Sequence, residues 1–408
     1  MKSLFNRSTA AMVAAALACG AGAGTKALAQ VPSNFPAAPL AGGQAAYQGG
    51  AYQNAYGESI VMPASYNAPG PGYGEMCQPG CQPGCEYGDP GYADFGGYGT
   101  PDQCGPHYFD IAANAVFLQS TRSFQDVPPL GSVGVNGPTK ILDADQLNED
   151  YEPGWEIAAR LDLGPLSVFE ATYMGIYDLG FNTSVSSVNV ANGVDFQLNS
   201  VFSEYGVVPI DGLDEGSVYS LDYQSDLQST ELSYRRYWVG HNPRISGTYL
   251  AGFRYVRMTE EMNFDATALL GDSTIGWDTT NDLVGAQLGG DGWIALRQGL
   301  RLGGEVKGGI YNNRFKYGHQ TNIPDPDITN VNFQDDGNQV AFVGEAKFDL
   351  VADILPSISL RGGYRVLYMS SLVTVGNNID STNVASTALY TQGDALYNGF
   401  HGGIEYIW

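Results

Sequence analysis

Hydrophobic and polar residues alternate one by one along much of the chain after residue 107. In the segment 154–163, Trp155, Ile157 and Leu161 share one parity, and Glu156 and Arg160 share the other. Segments 300–312, 338–350 and 357–370 repeat the pattern. A period of two places successive side chains on opposite faces of a β-strand. The pattern therefore predicts strands with one apolar face and one ionic face.

Ten segments of this kind can be assigned, and long and short connections alternate between them. Their ranges are 108–121, 154–163, 166–178, 217–240, 246–261, 281–296, 300–312, 338–350, 357–370 and 396–408. The long connections are 122–153, 179–216, 262–280, 313–337 and 371–395. Outer-membrane barrels combine tight periplasmic turns with long outer loops and an even number of strands. The rhythm predicts an all-β fold, a closed antiparallel up-and-down transmembrane β-barrel of about ten strands.

The segment 217–240 departs from a single phase. Tyr219 and Leu221 are apolar at odd positions, whereas Leu232 and Tyr234 are apolar at even ones. A one-residue change of phase requires a bulge near 227–230 or a turn there. With a turn the count rises, so twelve strands is the alternative.

The last strand ends on an aromatic residue. Phe400, Ile404, Tyr406 and the final Trp408 fall on one parity. This ending resembles the signal carried by the last strand of bacterial outer-membrane barrels, which implies the barrel-assembly machinery as a partner.

Aromatic residues near the strand ends fit the two girdles of a membrane barrel. The residues assigned to these girdles are Tyr108, Trp155, Tyr177, Tyr237, Trp238, Trp293, Tyr311 and Tyr406.

Composition narrows the possible functions. The 408 residues include 19 Lys and Arg against 43 Asp and Glu, a formal net charge of −24. So acidic a chain is a poor candidate for binding nucleic acid or an anionic lipid surface, because phosphate attraction requires clustered Lys and Arg, and no nucleic acid is expected as a partner. After the first 30 residues no run of 18 apolar residues could form a spanning helix.

Residues 1–29 have the features of a secretory signal peptide. Lys2 and Arg7 precede a short apolar stretch, and Ala27 to Ala29 form a small-x-small cleavage pattern. Acylation of Cys19 as a lipoprotein is the alternative. Either form predicts export to the cell envelope.

Residues 30–106 are predicted to form a disordered periplasmic arm. The segment is rich in Gly, Pro, Tyr and Gln and has too few branched aliphatic residues to build a core. Its cysteines, Cys77, Cys81, Cys85 and Cys104, are disulfide candidates, within the arm or as cross-links to other envelope proteins. Metal binding with His107 is the weaker alternative, since no second ligand pair follows. Residues 107–408 are assigned to the barrel.

Three pieces in order before the aromatic-ended strand are similar to a planctomycete outer-membrane β-barrel family. They are "STELSYRRYW", "YLAGFRYVRMTEEM" and "NDLVGAQLGG", with the "GFRY" segment followed by Glu260 as the best match. The resemblance covers about 107–408, and family members commonly carry a stretch rich in Cys, Gly, Pro and Tyr before the barrel. It implies outer-membrane lipid as the surroundings and assigns no catalytic residue.

The ionic face of the strands is predicted to line the lumen. The charged residues assigned to it are Glu231, Arg235, Arg254, Arg301, Glu305, Lys307, Glu345, Lys347, Arg361, Arg365 and Glu405. A ten-strand barrel is only slightly wider than the eight-strand type that side chains fill. Mixed charges favour a closed, salt-bridged lumen and a structural envelope role; a porin-like pore for small solutes and a soluble exported β-sandwich are the alternatives.

No catalytic role, cofactor or metal site is predicted. No G-x-S-x-G, H-E-x-x-H or phosphate-loop motif occurs. His319 lies near the "PDPD" sequence, and a His with an Asp could activate a hydrolytic water. The preferred interpretation is that these residues are solvated side chains of a loop. The acidic segments 143–150 and 323–332 lack calcium-loop spacing and are assigned to solvated loops.

Overall fold

The computed structural model describes residues 109–121, 124, 127–144, 150–164, 166–242, 244–355 and 357–407. The predicted signal peptide, the arm with Cys77, Cys81, Cys85 and Cys104, and the terminal Trp408 lie outside the described residues. None of the helices among the described residues is long and apolar enough to cross a membrane.

The described chain consists mainly of β-strands. They are β1 (Phe109–Ser120), β2 (Gly131–Val133), β3 (Lys140–Ile141), β4 (Glu152–Gly164), β5 (Ser167–Ser186), β6 (Leu198–Ser200), β7 (Gly216–Val239), β8 (Ile245–Ala268), β9 (Gly271–Arg297), β10 (Leu300–Asn322), β11 (Asn332–Leu355), β12 (Ile358–Leu372) and β13 (Gly393–Ile407). A short helix α1 (Ser187–Val190) and the 3-10 helices Val201–Ser203 and Gly376–Asn378 lie in the connections.

Ten of these strands close into one antiparallel ring. Each barrel strand pairs with the next along the chain, in the order β1, β4, β5 and β7 to β13. The ring closes where β13 pairs with β1. The prediction of a ten-strand up-and-down barrel is confirmed, and the described strands do not form the two stacked sheets of a sandwich. Strands β2, β3 and β6 extend the sheet beside β7.

The two ends of the barrel differ in their connections. One end, here the turn end, carries connections of a few residues, at 165–166, 240–244, 298–299 and 356–357, together with the start of β1 and the end of β13. The other, here the loop end, carries the connections 121–151, 187–215, 269–270, 323–331 and 373–392.

Several strands extend further toward the loop end than predicted. The predicted loop 262–280 is mostly strand, because β8 and β9 continue to a turn at Leu269 and Leu270. The predicted loop 313–337 shrinks to 323–331. At the turn end, β11 runs to Leu355, past the predicted strand end at residue 350. Near the loop end the apolar side chains face inward, whereas the predicted strands have their apolar face outward, so alternation of that kind does not predict these parts of the strands.

The predicted change of phase in β7 is wrong. Odd positions face inward along the strand, from Tyr219 and Leu221 to Glu231 and Arg235. Along β7 the inward side chains change from apolar to ionic, but the inward positions stay odd throughout. A register shift lies instead in the neighbouring β5, between Ile176 and Leu179. A bulge of this kind adds residues to one strand and leaves its partner regular.

Candidate functional site

The inner wall near the turn end is built of charged side chains. The residues assigned to the lumen from the sequence all occupy inward positions: Glu231 and Arg235 on β7, Arg254 on β8, Arg301, Glu305 and Lys307 on β10, Glu345 and Lys347 on β11, Arg361 and Arg365 on β12, and Glu405 on β13. Strand pairing brings residues far apart in sequence into two adjoining clusters.

The deep ion cluster lies toward the middle of the barrel and comprises Glu156, Glu231, Arg254, Lys307, Glu345, Lys347 and Arg365. Arg254 Nη1 lies 2.6 Å from Glu345 Oε2 and 3.3 Å from Glu231 Oε1. Lys307 Nζ lies 2.8 Å from Glu231 Oε2. Each of these buried charges faces an opposite charge, which offsets the large cost of removing it from water.

The mouth cluster lies nearer the turn end and comprises Arg160, Glu170, Arg235, Asp291, Glu305 and Glu405. Arg235 pairs with Glu170 at 2.6 Å, Glu305 at 2.7 Å and Asp291 at 2.9 Å. Arg160 joins Glu170 at 2.7 Å to Glu405 at 2.6 Å. Guanidinium groups suit this role because several donors in one plane reach several carboxylates.

Two acids of the mouth cluster were missed in the sequence. Glu170 is flanked by Phe169 and Ala171, so the alternation in "VFEATY" carries the signal that it faces inward. Asp291 lies in "GGDGW", where surrounding glycines leave almost no alternation to follow. Each of the two acids forms an ion pair with Arg235 on another strand. The register between strands, and not the local sequence pattern, brings these partners together.

A cavity of about 80 Å³ opens among the mouth cluster. Its lining includes Arg160, Glu170, Arg235, Glu305 and Arg361. This volume holds a few water molecules. Glu156, Lys307 and Lys347 of the deep ion cluster also line it, so the cavity reaches from the mouth cluster to the deep ion cluster.

An apolar layer fills the barrel beyond the deep ion cluster. Its side chains are nearly inaccessible to solvent and include Val116, Leu118, Met174, Ile176, Leu227, Val256, Met258, Leu283, Leu367 and Met369. They come from the strands themselves, so the wall closes its own lumen. Close-packed interiors of this kind leave few voids larger than a water molecule.

The connection 373–392 folds into the loop end and is held there by polar side chains of the wall. Asn281 donates to Val373 O at 2.7 Å and accepts from Val373 N at 2.9 Å. Glu260 accepts from Val375 N at 2.9 Å, and Gln339 donates to Ser371 O and to Thr391 O at 2.8 Å. These side chains satisfy backbone groups that would otherwise be buried without partners.

The remaining loops form a cap with its own apolar core. Leu130, Leu198, Phe202 and Leu213 pack with inward strand residues such as Phe264. The connection in this cap is organised by Asp214, which accepts from Ser200 N at 3.0 Å, Ser203 Oγ at 2.7 Å and Ile210 N at 2.7 Å. Burial raises the pKa of Asp214 above its usual value.

His319 does not form the hydrolytic pair considered from the sequence. It lies on β10, not in a loop, and its ring stacks on Trp277 with centroids 5.3 Å apart. Its ring nitrogens face Gly276 O at 3.1 Å and Val384 O at 2.9 Å. These contacts give it a structural position between the wall and the inserted connection.

The outer wall is apolar near the turn end and polar near the loop end. On β9 the outward side chains change from Leu296, Leu288 and Val284 to Asp282 and Thr280. The same change occurs on β8, β10 and β11, past Phe253, Ile310 and Val340 respectively. Leu288, Phe253 and Val340 are about 70 % exposed. Such a continuous apolar surface far exceeds what a water-facing wall carries.

The aromatic residues assigned to girdles divide between the two faces. Trp155, Tyr177 and Tyr406 are exposed on the outside. Tyr237 and Trp293 instead line the cavity, and Tyr311 lies in the apolar layer, so their assignment is wrong. Trp238 lies beside Tyr249, with ring centroids 6.1 Å apart, and Tyr108 is outside the described residues. Parity alone would have separated the inward tyrosines from the outward ones.

Residues of the predicted C-terminal signal lie on the outer face of β13. Phe400, Ile404 and Tyr406 are exposed, and β13 is paired on both sides. Their side chains contribute to the apolar part of the outer wall.

Solved structures with a similar fold are outer-membrane β-barrels of low identity. The outer membrane protease OmpT from Escherichia coli is 13% identical over 76% of this chain and 98% of its own, with a TM-score of 0.41. The translocator domain of autotransporter NalP from Neisseria meningitidis is 12% identical, covering 75% and 90%, with a TM-score of 0.34. A major outer membrane protein from Thermus thermophilus is 10% identical, covering 74% and 100%, with a TM-score of 0.32.

No family model matches the chain, and no curated protein matches it. The resemblance to a planctomycete family therefore stays a prediction. The assignment of the barrel fold rests on the closed ring of hydrogen-bonded strands itself.

Proposed function

We propose that the protein is an outer-membrane barrel with a structural role in the envelope and a lumen that does not conduct. The observation that carries this proposal is the filled interior: the two ion clusters, the apolar layer and the inserted connection follow one another along the barrel axis. A solute would have to displace all of them. A porin-like pore remains the rival function, and conductance distinguishes the two.

The apolar part of the outer wall supports the membrane location. On β9 it runs from Val284 to Leu296. At about 3.3 Å per residue and a strand tilt of about 40°, this run spans roughly 30 Å along the barrel axis. The apolar band of outer-membrane barrels is about 25 Å tall. In water, the exposure of this apolar surface would carry a large unfavourable free energy.

The connections support an orientation with the loop end outside the cell. Tight turns and both barrel termini of outer-membrane barrels lie in the periplasm. By this rule the chain before Phe109 is periplasmic, where oxidation of Cys77, Cys81, Cys85 and Cys104 can cross-link the arm to other envelope proteins. The barrel-assembly machinery is the proposed partner of β13. The proposed function involves neither nucleic acid nor catalysis.

Reconstitution tests the membrane location and the closed lumen separately. The full chain is refolded into phosphatidylcholine liposomes, and flotation and heat-modifiable migration in detergent gels report insertion. We expect the protein to float with the vesicles and to migrate differently before and after boiling. A protein that stays in the aqueous phase would contradict the membrane location.

Planar bilayer recording then tests the lumen of the inserted protein. We expect no steady conductance steps from the unaltered chain. The variant carrying Leu227→Ser, Met258→Ser and Leu367→Ser, which hollows the apolar layer, is the matched comparison and shows whether that layer is the barrier. Steady steps from the unaltered protein would replace the structural role by the porin-like one.

A further inference from the structure

We propose that Arg257, Arg314 and Lys316 form a binding site for the phosphate of an anionic lipid headgroup at the loop-end border of the apolar band. The inference rests on the proposed membrane location and goes beyond it by naming a specific site and ligand class. The three side chains face outward and are exposed on β8 and β10, the two strands that flank β9.

The position of the site coincides with the border of the apolar surface. Arg257 pairs in register with Asp282, and Asp282 with Arg314, so they form one row across three strands. The next outward residue toward the turn end on β9 is Val284, which is 59% exposed. On β10 the last large apolar residue that faces outward before Arg314 is Ile310, which is 69% exposed. The row therefore lies where acyl chains end and headgroups begin.

The cations are concentrated at this place although the wall is otherwise acidic. On the ten described strands of the barrel ring, outward cations on the loop-end side of the apolar band occur only at Arg257, Arg314 and Lys316. Lys140 on β3, outside that ring, is also exposed, but its Nζ lies over the Tyr205 ring, 3.1 Å from the centroid. Carboxylates dominate the remainder of that wall, including Asp222, Asp226, Glu261, Asp265 and Asp278. Anionic headgroups are repelled by those carboxylates and attracted to the three cations, so their contact with the protein is localised.

Two of the three cations have charge to offer. Arg257 Nε lies 3.9 Å from Asp282 Oδ1, and Tyr255 donates to the same carboxylate oxygen at 2.6 Å. Among the described residues, neither Arg314 nor Lys316 has a carboxylate within 4.0 Å, although Asp336 is the register partner of Lys316. Arg314 provides a planar fork and Lys316 a point charge, a combination suited to a phosphate. Asp282 holds Arg257 toward the same place.

Lipid retention measured by native mass spectrometry tests the site. The full chain is inserted into nanodiscs of phosphatidylcholine with phosphatidylglycerol as the minor component, and the retained phosphatidylglycerol molecules are counted after release. The site variant carries Arg257→Gln, Arg314→Gln and Lys316→Gln. With about a fivefold contribution from each of the two unpaired cations, Arg314 and Lys316, we expect phosphatidylglycerol to bind at least roughly twentyfold more weakly.

A matched control removes the same charge at the other end of the barrel. It carries Arg236→Gln, Arg244→Gln and Arg297→Gln, all exposed near the turn end. We expect this variant to lose clearly less phosphatidylglycerol than the site variant. Equal losses in the two variants would show general charge attraction and would overturn the site, as would unchanged binding in the site variant.

Further readouts keep the two proposals separate. If the site variant does not fold, Arg314→Gln and Lys316→Gln are measured singly, and each is expected to weaken binding about fivefold. Insertion of every variant is followed by heat-modifiable migration in pure phosphatidylcholine. Loss of lipid selectivity with insertion intact overturns only the headgroup site, whereas failure of the unaltered chain to insert contradicts the proposed function.

Discussion

At the scale of single residues, the interior near the turn end depends on pairing and not on hydrophobicity. Arg254 is nearly inaccessible and is held by Glu345, Glu231 and the Ser229 hydroxyl. Paired charges of this kind contribute no more to stability than a well-packed apolar core of the same volume would. The removal of one partner is a different matter, because the remaining charges are then buried without compensation.

Arg254→Met is therefore expected to destabilise the barrel strongly. It leaves Glu231 and Glu345 facing each other with less positive charge, and the loss of one partner of a buried pair costs about 3–5 kcal/mol. Urea unfolding in detergent micelles, followed by heat-modifiable migration, measures the change. Arg244→Met removes an exposed arginine and should alter the free energy of unfolding by less than about 0.5 kcal/mol. Equal stability of the two variants would contradict the importance of the deep ion cluster.

Sequence reasoning reaches the identity of the inward charges but not their partners. Alternation places Glu345 and Lys347 on one face without reference to other strands. Which side chain meets Arg254 depends on the register of strands 91 residues apart along the chain. The sheared geometry of a closed ring fixes that register, and local pattern contains no record of it.

At the scale of elements, each of the strands β7 to β10 lies in two different surroundings. Near the turn end the apolar face points outward, and near the loop end it points inward. A prediction that assumes one outward apolar face along the whole strand therefore identifies the turn-end halves and assigns much of the loop-end halves to loops. For the same reason it interprets Tyr219 and Leu221 as a change of phase. Two surroundings along one strand explain both errors.

The inserted connection 373–392 is the element most dependent on side chains of the wall. Asn281 bonds both backbone groups of Val373 and also accepts from Asn313. Sequence patterns could not identify the role of Asn281, since this residue lies in an ordinary alternating strand. Its role follows from the chain that folds against it.

Asn281→Leu should loosen this connection while the barrel remains closed. The substitution removes both bonds to Val373 and leaves its buried backbone groups unpaired, at about 1–3 kcal/mol for each group. Hydrogen exchange measured by mass spectrometry should show faster exchange over 373–392 and unchanged exchange in β1 and β13. Asn312→Leu, on the outer face of β10, is the control and should leave exchange in the connection unaltered. Protection of 373–392 equal to that of the unaltered chain would contradict the tether.

At the scale of the whole molecule, the barrel is divided into a segment suited to lipid and a segment suited to water. The first has apolar side chains outside and ions inside; the second has polar side chains outside and an apolar core under the cap. Each segment places its apolar surface against hydrocarbon or against itself, so both satisfy the same physical requirement. The position of the border along the barrel follows from the change of outward chemistry on β7 to β11.

The border makes a prediction about charged substitutions on one strand. Leu288→Lys introduces a cation in the middle of the apolar part of β9, where a lysine facing lipid costs about 2–4 kcal/mol. Thr274→Lys introduces the same charge on the outer face of the same strand near the loop end, where it meets water and should cost almost nothing. Both changes lie on the outer face, so neither disturbs the ion clusters inside. Refolding into phosphatidylcholine vesicles, with the inserted fraction measured by heat-modifiable migration, should therefore fall for Leu288→Lys alone. Equal insertion of the two variants would mean that Leu288 does not face hydrocarbon, and the division of the barrel into two segments would lose its physical basis.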